Sequence, residues 1–523
     1  YTLAIVCRDG KEMQDVANGL HGQLTASLIA AAEELQQHKN LIQRLQDRCG
    51  RLIFNGVPTG VEVGWAMQHG GPWPASTDSR FGAVGADPGS ASLNPAGFGL
   101  YNASEVSITP ALESNTSKSS FYGSANSTGQ DRFAMNNMSL VLNYPNGQGT
   151  AWRGGTFGLS FDRQASYYWN GNTQAGHVNS SILQQFVNES NGTSWSQVEG
   201  DAYPFSSSLA WWTYGIDTIP GDSTHYVPAI PNGSDVAHSH VVDASGRLNT
   251  TSIFYANNYK DRLYVGIAVG LVGLRFERHT THTERTLDPA VDLEKLTYKE
   301  DLLTTGNGID VKIGAIGRVT DQLRLGLSFH SPMWLSLNDS YSYSMTTAFR
   351  QGDGYTRNSP SGTFAYNIHT PWRVLLSAAY VVGKAGLVSV DYCYADYSRM
   401  RLRPTNTLEN EYDFSVENAA IEKGFAATHS VRAGTEWRVD HWYFRGGWGI
   451  WPDPYATTDS RHGTALQVFS GGIGYRTAHV SVDLTALYQT QRTLSYPYSA
   501  DVVAPITDER QSVRTLLTLA WRP

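Results

Sequence analysis

The sequence predicts an all-β fold: an antiparallel transmembrane β-barrel of about fourteen strands, preceded by a small α/β fragment. Three observations lead there. From Ser104 to Trp521, apolar residues recur at every second position in about fourteen stretches of roughly ten residues, the period of a strand with one apolar face. Short turns and long polar connections alternate between those stretches, as in barrels that cross a membrane. No run approaches about 18 apolar residues, which excludes helical spans only, because lipid-facing and lumen-facing residues alternate along a barrel strand.

Composition narrows the function classes. The chain has 523 residues, 16% of them charged, against roughly 25% in an average soluble domain. It is rich in Gly (51), Tyr (28) and Trp (14). A net charge of −8 carries no electrostatic footprint for nucleic acid. Three cysteines, Cys7, Cys49 and Cys393, form neither a disulfide framework nor a zinc spacing.

The chain changes character near residue 82. Residues 1–82 read as α/β, with short apolar strands at Leu3–Val6, Leu24–Ile29 and Arg51–Asn55. A helix over Ala30–Arg48 carries Leu35, Leu41, Ile42 and Leu45 on one face. A Gly/Pro-rich loop, Gly56–Asp78, follows.

Beyond residue 104 the period is two. Leu263, Val265, Ile267, Val269 and Leu271 are apolar, with small residues between them. Ile309, Val311 and Ile313 alternate with Asp310, Lys312 and Gly314, and Leu325, Leu327 and Phe329 with Arg324, Gly326 and Ser328. The polar partners suit a polar lumen better than a dry sandwich core. Tyr259-Lys260, Thr320-Asp321, Lys384–Gly386 and Asp440-His441 are the short turns, and 283–300, 348–360 and 453–463 the long loops. Trp372, Tyr394, Tyr397, Trp437, Trp442, Tyr443, Trp448 and Trp451 cluster at strand ends, as aromatic girdles do. The competing fold is a water-soluble propeller or tandem sandwich. No repeat of about 40 residues with a shared signature supports it.

One connection, 169–248, is far longer than the rest. It holds two short helical patterns, Ser180–Asn188 and Ser206–Tyr214, and five aromatics: Trp169, Phe186, Trp195, Trp211 and Trp212. These form either an outer surface for an apolar ligand or a small aromatic core that plugs the barrel mouth. No metal site is expected. His279, His282 and Glu284 invite one, but positions three apart on a strand face opposite ways. Cys393 is expected to face the lumen. No Gly-x-Ser-x-Gly elbow, phosphate-binding loop or His-Glu-x-x-His occurs.

Several motifs, in order, carry a family resemblance. They are Gly85–Leu100 with Asn94-Pro95-Ala96-Gly97 at its centre, Leu325–Pro332, His369–Arg373, Val388–Tyr392 and Arg432–Trp437 with Phe444–Trp448. Through them, residues 83–523 resemble the FadL family of outer-membrane transporters for hydrophobic compounds. The resemblance implies a 14-stranded barrel plugged by a hatch (83–103) bearing Asn94, Pro95, Ala96 and Gly97. It also implies a bend at Pro332, ligands that enter from outside, and lateral exit through the wall. Arg522 and Pro523 depart from the family, whose last residue is usually aromatic. The signal peptide and hatch N-terminus that the family leads one to expect have other residues in their place.

Those residues resemble a second family. Gly22–Leu28, Gly50–Val63 and His69–Arg80 are similar to the C-terminal part of ketoglutarate-semialdehyde-type aldehyde dehydrogenases. The nucleotide-binding half and the segments bearing that family's nucleophilic Cys and general-base Glu have no counterpart. Cys7 and Cys49 match neither catalytic position. The fragment is expected to be non-catalytic, and a truncated or wrongly joined reading frame, with its join near Phe81–Gly85, is expected over a natural fusion.

The expected function is a passive outer-membrane channel for hydrophobic small molecules, either long-chain fatty acids or aromatic hydrocarbons. It is expected to work as a monomer among outer-membrane lipids, with no cofactor, no catalytic residues and no nucleic-acid partner. The alternatives are an NAD(P)-dependent semialdehyde dehydrogenase and a barrel with an adhesive or lipid-modifying role.

Overall fold

The computed structural model describes residues 26–28, 52–54, 89–146, 150–383, 385–405 and 412–523. Strands β1 (Ala26–Leu28) and β2 (Leu52–Phe54) pair in parallel. The helix expected over Ala30–Arg48, the strand Leu3–Val6, Cys7, Cys49 and the start of the hatch motif, Gly85–Pro88, lie outside the described residues.

From residue 105 the chain builds one closed antiparallel barrel of fourteen staves. The first is β3 (Glu105–Phe121), the second β4 (Ser124–Pro145). The third is split into β5 (Trp152–Ser166) and β6 (Trp169–Val178). A two-stranded ribbon, β7 (Ile216–Thr218) and β8 (Tyr226–Pro228), stands apart from the wall. The wall resumes with β9 (Val236–Tyr259), β10 (Leu263–Thr286) and β11 (Leu293–Arg318). The seventh stave is β12 (Leu323–His330) and β13 (Trp334–Phe349). The eighth is β14 (Tyr355–Asn358), β15 (Gly362–His369) and β16 (Arg373–Val382). The ninth is β17 (Gly386–Asp396) and β18 (Arg401–Pro404). The last five are β19 (Ala427–Val439), β20 (Trp442–Trp451), β21 (Leu466–Arg476), β22 (Val480–Ser495) and β23 (Ile506–Trp521). Pairing of β23 with β3, from Thr507↔Ser120 to Trp521↔Val106, closes the ring and leaves no sheet edge.

Alternation sorts the two faces. On β10 the outward Leu263, Ile267 and Leu271 are 41–52% exposed, while Tyr264, Ala268 and Val272 are buried. Ile309 and Ile313 of β11, Leu325, Leu327 and Phe329 of β12, and Val482 and Leu484 of β22 continue the outer belt. Inside are Asp310, Lys312, Arg324, Asp391, Arg432, Glu436, Arg445 and Asp483, all buried. A fold that shows water a belt of Leu, Ile and Val and buries its charges is built for a hydrocarbon surrounding. Trp152, Trp437, Trp442, Tyr475 and Trp521 are exposed near the ends with short turns, where amphipathic rings sit at a membrane boundary.

Several local expectations need correction. Tyr443 is 3% exposed and points into the lumen, with the Arg476 guanidinium 4.5 Å over its ring. Trp451 also packs inward, against Ala111, Val468, Leu487 and Leu516. The stretch 283–300 is mostly strand, with a connection of only 287–292. The stretch 348–360 contains β14, with a loop of only 350–354. The long insert is 179–235, because 169–178 and 236–248 belong to β6 and β9. All three shifts share one cause. Strands that rise past the apolar belt lose the need for lipid-facing side chains, so they become polar on both faces and read as loops.

Candidate functional site

The inside of the barrel is closed by two plugs with a cavity near the lower one. The lower plug is the hatch: helix α1 (Ser90–Leu93) and a 3₁₀ turn (Pro95–Leu100). Asn94 joins them. Its Oδ1 accepts from the Ala96 N–H (3.1 Å), and its Nδ2 donates to the carbonyls of Ala315 (3.3 Å) and Leu327 (3.4 Å) in the wall. Pro95, Ala96 and Gly97 are buried. Phe98 stacks on Phe254 with ring centroids 3.5 Å apart. His330 Nε2–H donates to the Leu93 carbonyl at 2.7 Å, and Ser92 Oγ donates to Asp162 at 3.0 Å. The wall is thinned to receive this turn. A Cβ at Gly314 would land on the Asn94 amide, and one at Gly266 on the Pro95 carbonyl.

The upper plug is the insert. Helices α2 (Ile182–Ser190), α3 (Trp195–Glu199) and α4 (Ser207–Trp212) fold over the mouth. Ile182, Leu183, Phe186 and Val187 share one buried face of α2. They pack with Leu209, Ile216, Tyr298, Met345 and Tyr498 in one apolar cluster.

Of the five aromatics expected to form either a ligand surface or a small aromatic core, four lie in the cap and Trp169 lies apart from them in the wall. Phe186 is 1% exposed, inside the cap's core. Trp195 and Trp211 stack at 6.3 Å, and Trp211 meets Tyr226 edge-on at 6.1 Å. Trp212 is 40% exposed, with Arg357 5.0 Å over its ring. Trp169 lies at the foot of β6, where it lines the cavity. Its Nε1–H donates to Ser117 at 3.1 Å, and Arg510 sits 3.7 Å over its ring.

That cavity, about 750 Å³, has Ser92 and Leu93 of the hatch in its lining. Its apolar lining includes Tyr167, Tyr168, Phe276, Leu375, Val468, Leu487 and Leu516. Cys393 lines it too, a free thiol on the lumen side. Six arginines reach it: Arg163, Arg278, Arg373, Arg432, Arg510 and Arg514. Four have carboxylates at hand. Arg278 lies 3.7 Å from Glu300, Arg432 3.1 Å from Asp391, Arg510 3.8 Å from Asp508 and Arg514 3.5 Å from Glu113. Arg163 has buried Nε and Nη1 atoms with no hydrogen-bond partner. Sequence reasoning did not single out these arginines, because their strands reach one cavity only once the barrel closes.

Pro332 sits in the break Ser331–Met333 between β12 and β13. A second break, Thr370–Trp372, lies beside it. Met333 N–H donates to Thr370 Oγ1 at 2.8 Å, and Thr370 N–H to the Met333 carbonyl at 3.1 Å. The pairing resumes cleanly on both sides, at Trp334↔His369 and His330↔Arg373.

Above the belt, near the cap, four polar residues meet on the inner face. The register sets His238 opposite Glu284 and His240 opposite His282. His282 Nε2 lies 2.9 Å from Glu284 Oε1, and His238 Nε2 3.8 Å from the same oxygen. Burial pushes His238 down to about 4 and His240 to about 3. Burial also works against the Glu284 carboxylate, but hydrogen bonds from His282 and Ser181 and the neighbouring imidazoles hold it below its ordinary range. His279 points outward to Asp301 at 2.6 Å and takes no part.

No family model matches the chain. It is similar to the alpha-ketoglutaric semialdehyde dehydrogenase of Acinetobacter baylyi, 40% identical over 112 residues, which are 21% of this chain and 21% of that enzyme. It is also similar to alpha-ketoglutaric semialdehyde dehydrogenase 2 of Azospirillum brasilense, 45% identical over 85 residues, 16% of each chain. The chain thus spans about a fifth of the length of the curated relatives it matches. Among solved structures it is similar to the Pseudomonas putida toluene transporter TodX, with 11% identity, 85% of this chain and 96% of that one covered, and a TM-score of 0.47. A Pseudomonas aeruginosa FadL homologue gives 13%, 87%, 99% and 0.48, and the Ralstonia pickettii toluene transporter TbuX 15%, 85%, 95% and 0.45.

Proposed function

We propose that the protein is a bacterial outer-membrane channel for passive uptake of hydrophobic small molecules. One observation carries the reading. A closed barrel with an apolar outer belt encloses a cavity of about 750 Å³ whose lining is half apolar, and plugs stand at both ends of the lumen. An open porin needs no such plugs. A solute that sheds water in the cavity gains roughly 25 cal/mol per Å² of apolar surface covered, and downhill partition into the bilayer drives net flow. The motif resemblance of residues 83–523 to the FadL family supports the same reading. The dehydrogenase-like match covers only about a fifth of this chain, while the barrel takes up most of the rest.

The unpaired guanidinium of Arg163 favours solutes with an acid group over plain hydrocarbons. A charge-assisted hydrogen bond to a solute carboxylate is worth about 1.5–3 kcal/mol, roughly tenfold or more in affinity. The test is uptake into liposomes holding the full chain. Palmitate should enter faster than into empty liposomes. Arg163→Gln should slow palmitate about tenfold and leave toluene unchanged. Uptake equal to that of empty liposomes for both solutes overturns the channel. Equal slowing of both by Arg163→Gln overturns the acid preference.

A further inference from the structure

The buried group where β9, β10 and the cap meet has the make-up of a metal site. His238 comes from β9, and His282 and Glu284 from one face of β10. One ligand atom from each lies within 4.8 Å of the others. Two ligands held about 2 Å from a tetrahedral zinc stand roughly 3.3 Å apart, and the two imidazole Nε2 atoms lie 2.9 and 3.8 Å from Glu284 Oε1. The side chains of His238 and Glu284 are fully buried and that of His282 nearly so.

His238 Nε2 also lies 3.0 Å from the Ser180 carbonyl, a contact that an ion at this site replaces. One further fact separates this group from an ordinary polar patch: the carboxylate is held from behind. Glu284 accepts from Ser181 Oγ at 2.5 Å and from the Ile182 N–H at 2.7 Å. That is the outer support that orients a ligating carboxylate. Two imidazoles and one carboxylate suit a borderline divalent ion rather than Ca²⁺ or Mg²⁺, which prefer all-oxygen shells.

We infer that His238, His282 and Glu284 bind a borderline divalent cation of the Zn²⁺ type. The site links two wall strands to the first turn of α2, so an ion there ties the cap to the barrel. Nothing in the uptake reading requires it.

The test uses the untagged full chain, folded in detergent, stripped with a chelator and titrated with Zn²⁺ by calorimetry. The bound metal is counted after gel filtration. The expected result is one tight Zn²⁺ per chain, weakened more than tenfold by His282→Ala and by Glu284→Gln. His279→Ala, outward on the same strand, should bind like the parent. Faster migration of the unboiled protein on SDS gels reports that each variant is folded. Should His282→Ala fail to fold, X-ray absorption of the Zn²⁺-loaded parent decides: the ion should show two histidine nitrogens and a carboxylate oxygen as ligands. No stoichiometric Zn²⁺, parent-like affinity in folded His282→Ala, or a bound Zn²⁺ without histidine nitrogens each overturns the site.

Discussion

Asn94 shows how much one side chain can organise. It caps the turn it begins and reaches two carbonyls on neighbouring staves. Asn94→Ala strands the Ala96 N–H and removes two donors. Each such loss costs about 1–3 kcal/mol. The hatch should therefore loosen while the barrel stays folded: amide exchange should quicken across residues 96–100, and the amides of β10 should keep their protection. Gly314 meets the same amide from the other side. Gly314→Ala adds a Cβ where the Asn94 side chain sits, and should loosen the hatch similarly. The histidine group teaches a second lesson at this scale. His282 and Glu284 are two apart and share a face, as the sequence indicates. His238 joins them from 44 positions earlier, and only the β9–β10 register brings it there. A spacing rule applied along one strand pairs His282 with His279 and misses the partner across the ladder.

At the scale of elements, the cap behaves as a small core resting on the mouth. Phe186 is 1% exposed and meets Tyr298 of the wall edge-on at 5.4 Å. Phe186→Ala should cost about 3–5 kcal/mol within the cap. Protease should then cut between residues 182 and 230, while the unboiled protein still migrates fast on SDS gels. Loss of that fast band as well would mean that cap and barrel fold as one unit. Two of the three helices in this insert were legible, α2 because Ile182, Leu183, Phe186 and Val187 repeat with helical spacing, whereas α3, five residues long, is too short to show a period. The ends of the insert were not, since β6 and β9 are polar on both faces above the belt. The same blindness hid the strand content of 283–300. The girdle residues show the converse. Trp437 and Trp442 face outward, but Tyr443, one position on, faces in, and an aromatic count cannot tell neighbours on a pleat apart.

At the scale of the whole molecule, the belt decides where charge is tolerated. Ile313 is 55% exposed within it. Ile313→Arg should cost about 2–4 kcal/mol in a bilayer, and Thr297→Arg, on the same face of β11 but above the belt, close to nothing. Denaturant unfolding in vesicles reads the difference. Equal costs would mean that the outward face does not meet lipid. The barrel itself was legible because alternation is a local property, whereas the arginine-lined cavity was not, because it exists only after closure. The tall staves have one more consequence. β10 runs fifteen residues past Leu271, its last belt residue, to Thr286. At about 3.3 Å per residue and a tilt near 40°, that lifts the rim roughly 35–40 Å clear of the bilayer. Under the proposed function the protein works like a standpipe: a solute meets its mouth well before it is near any lipid.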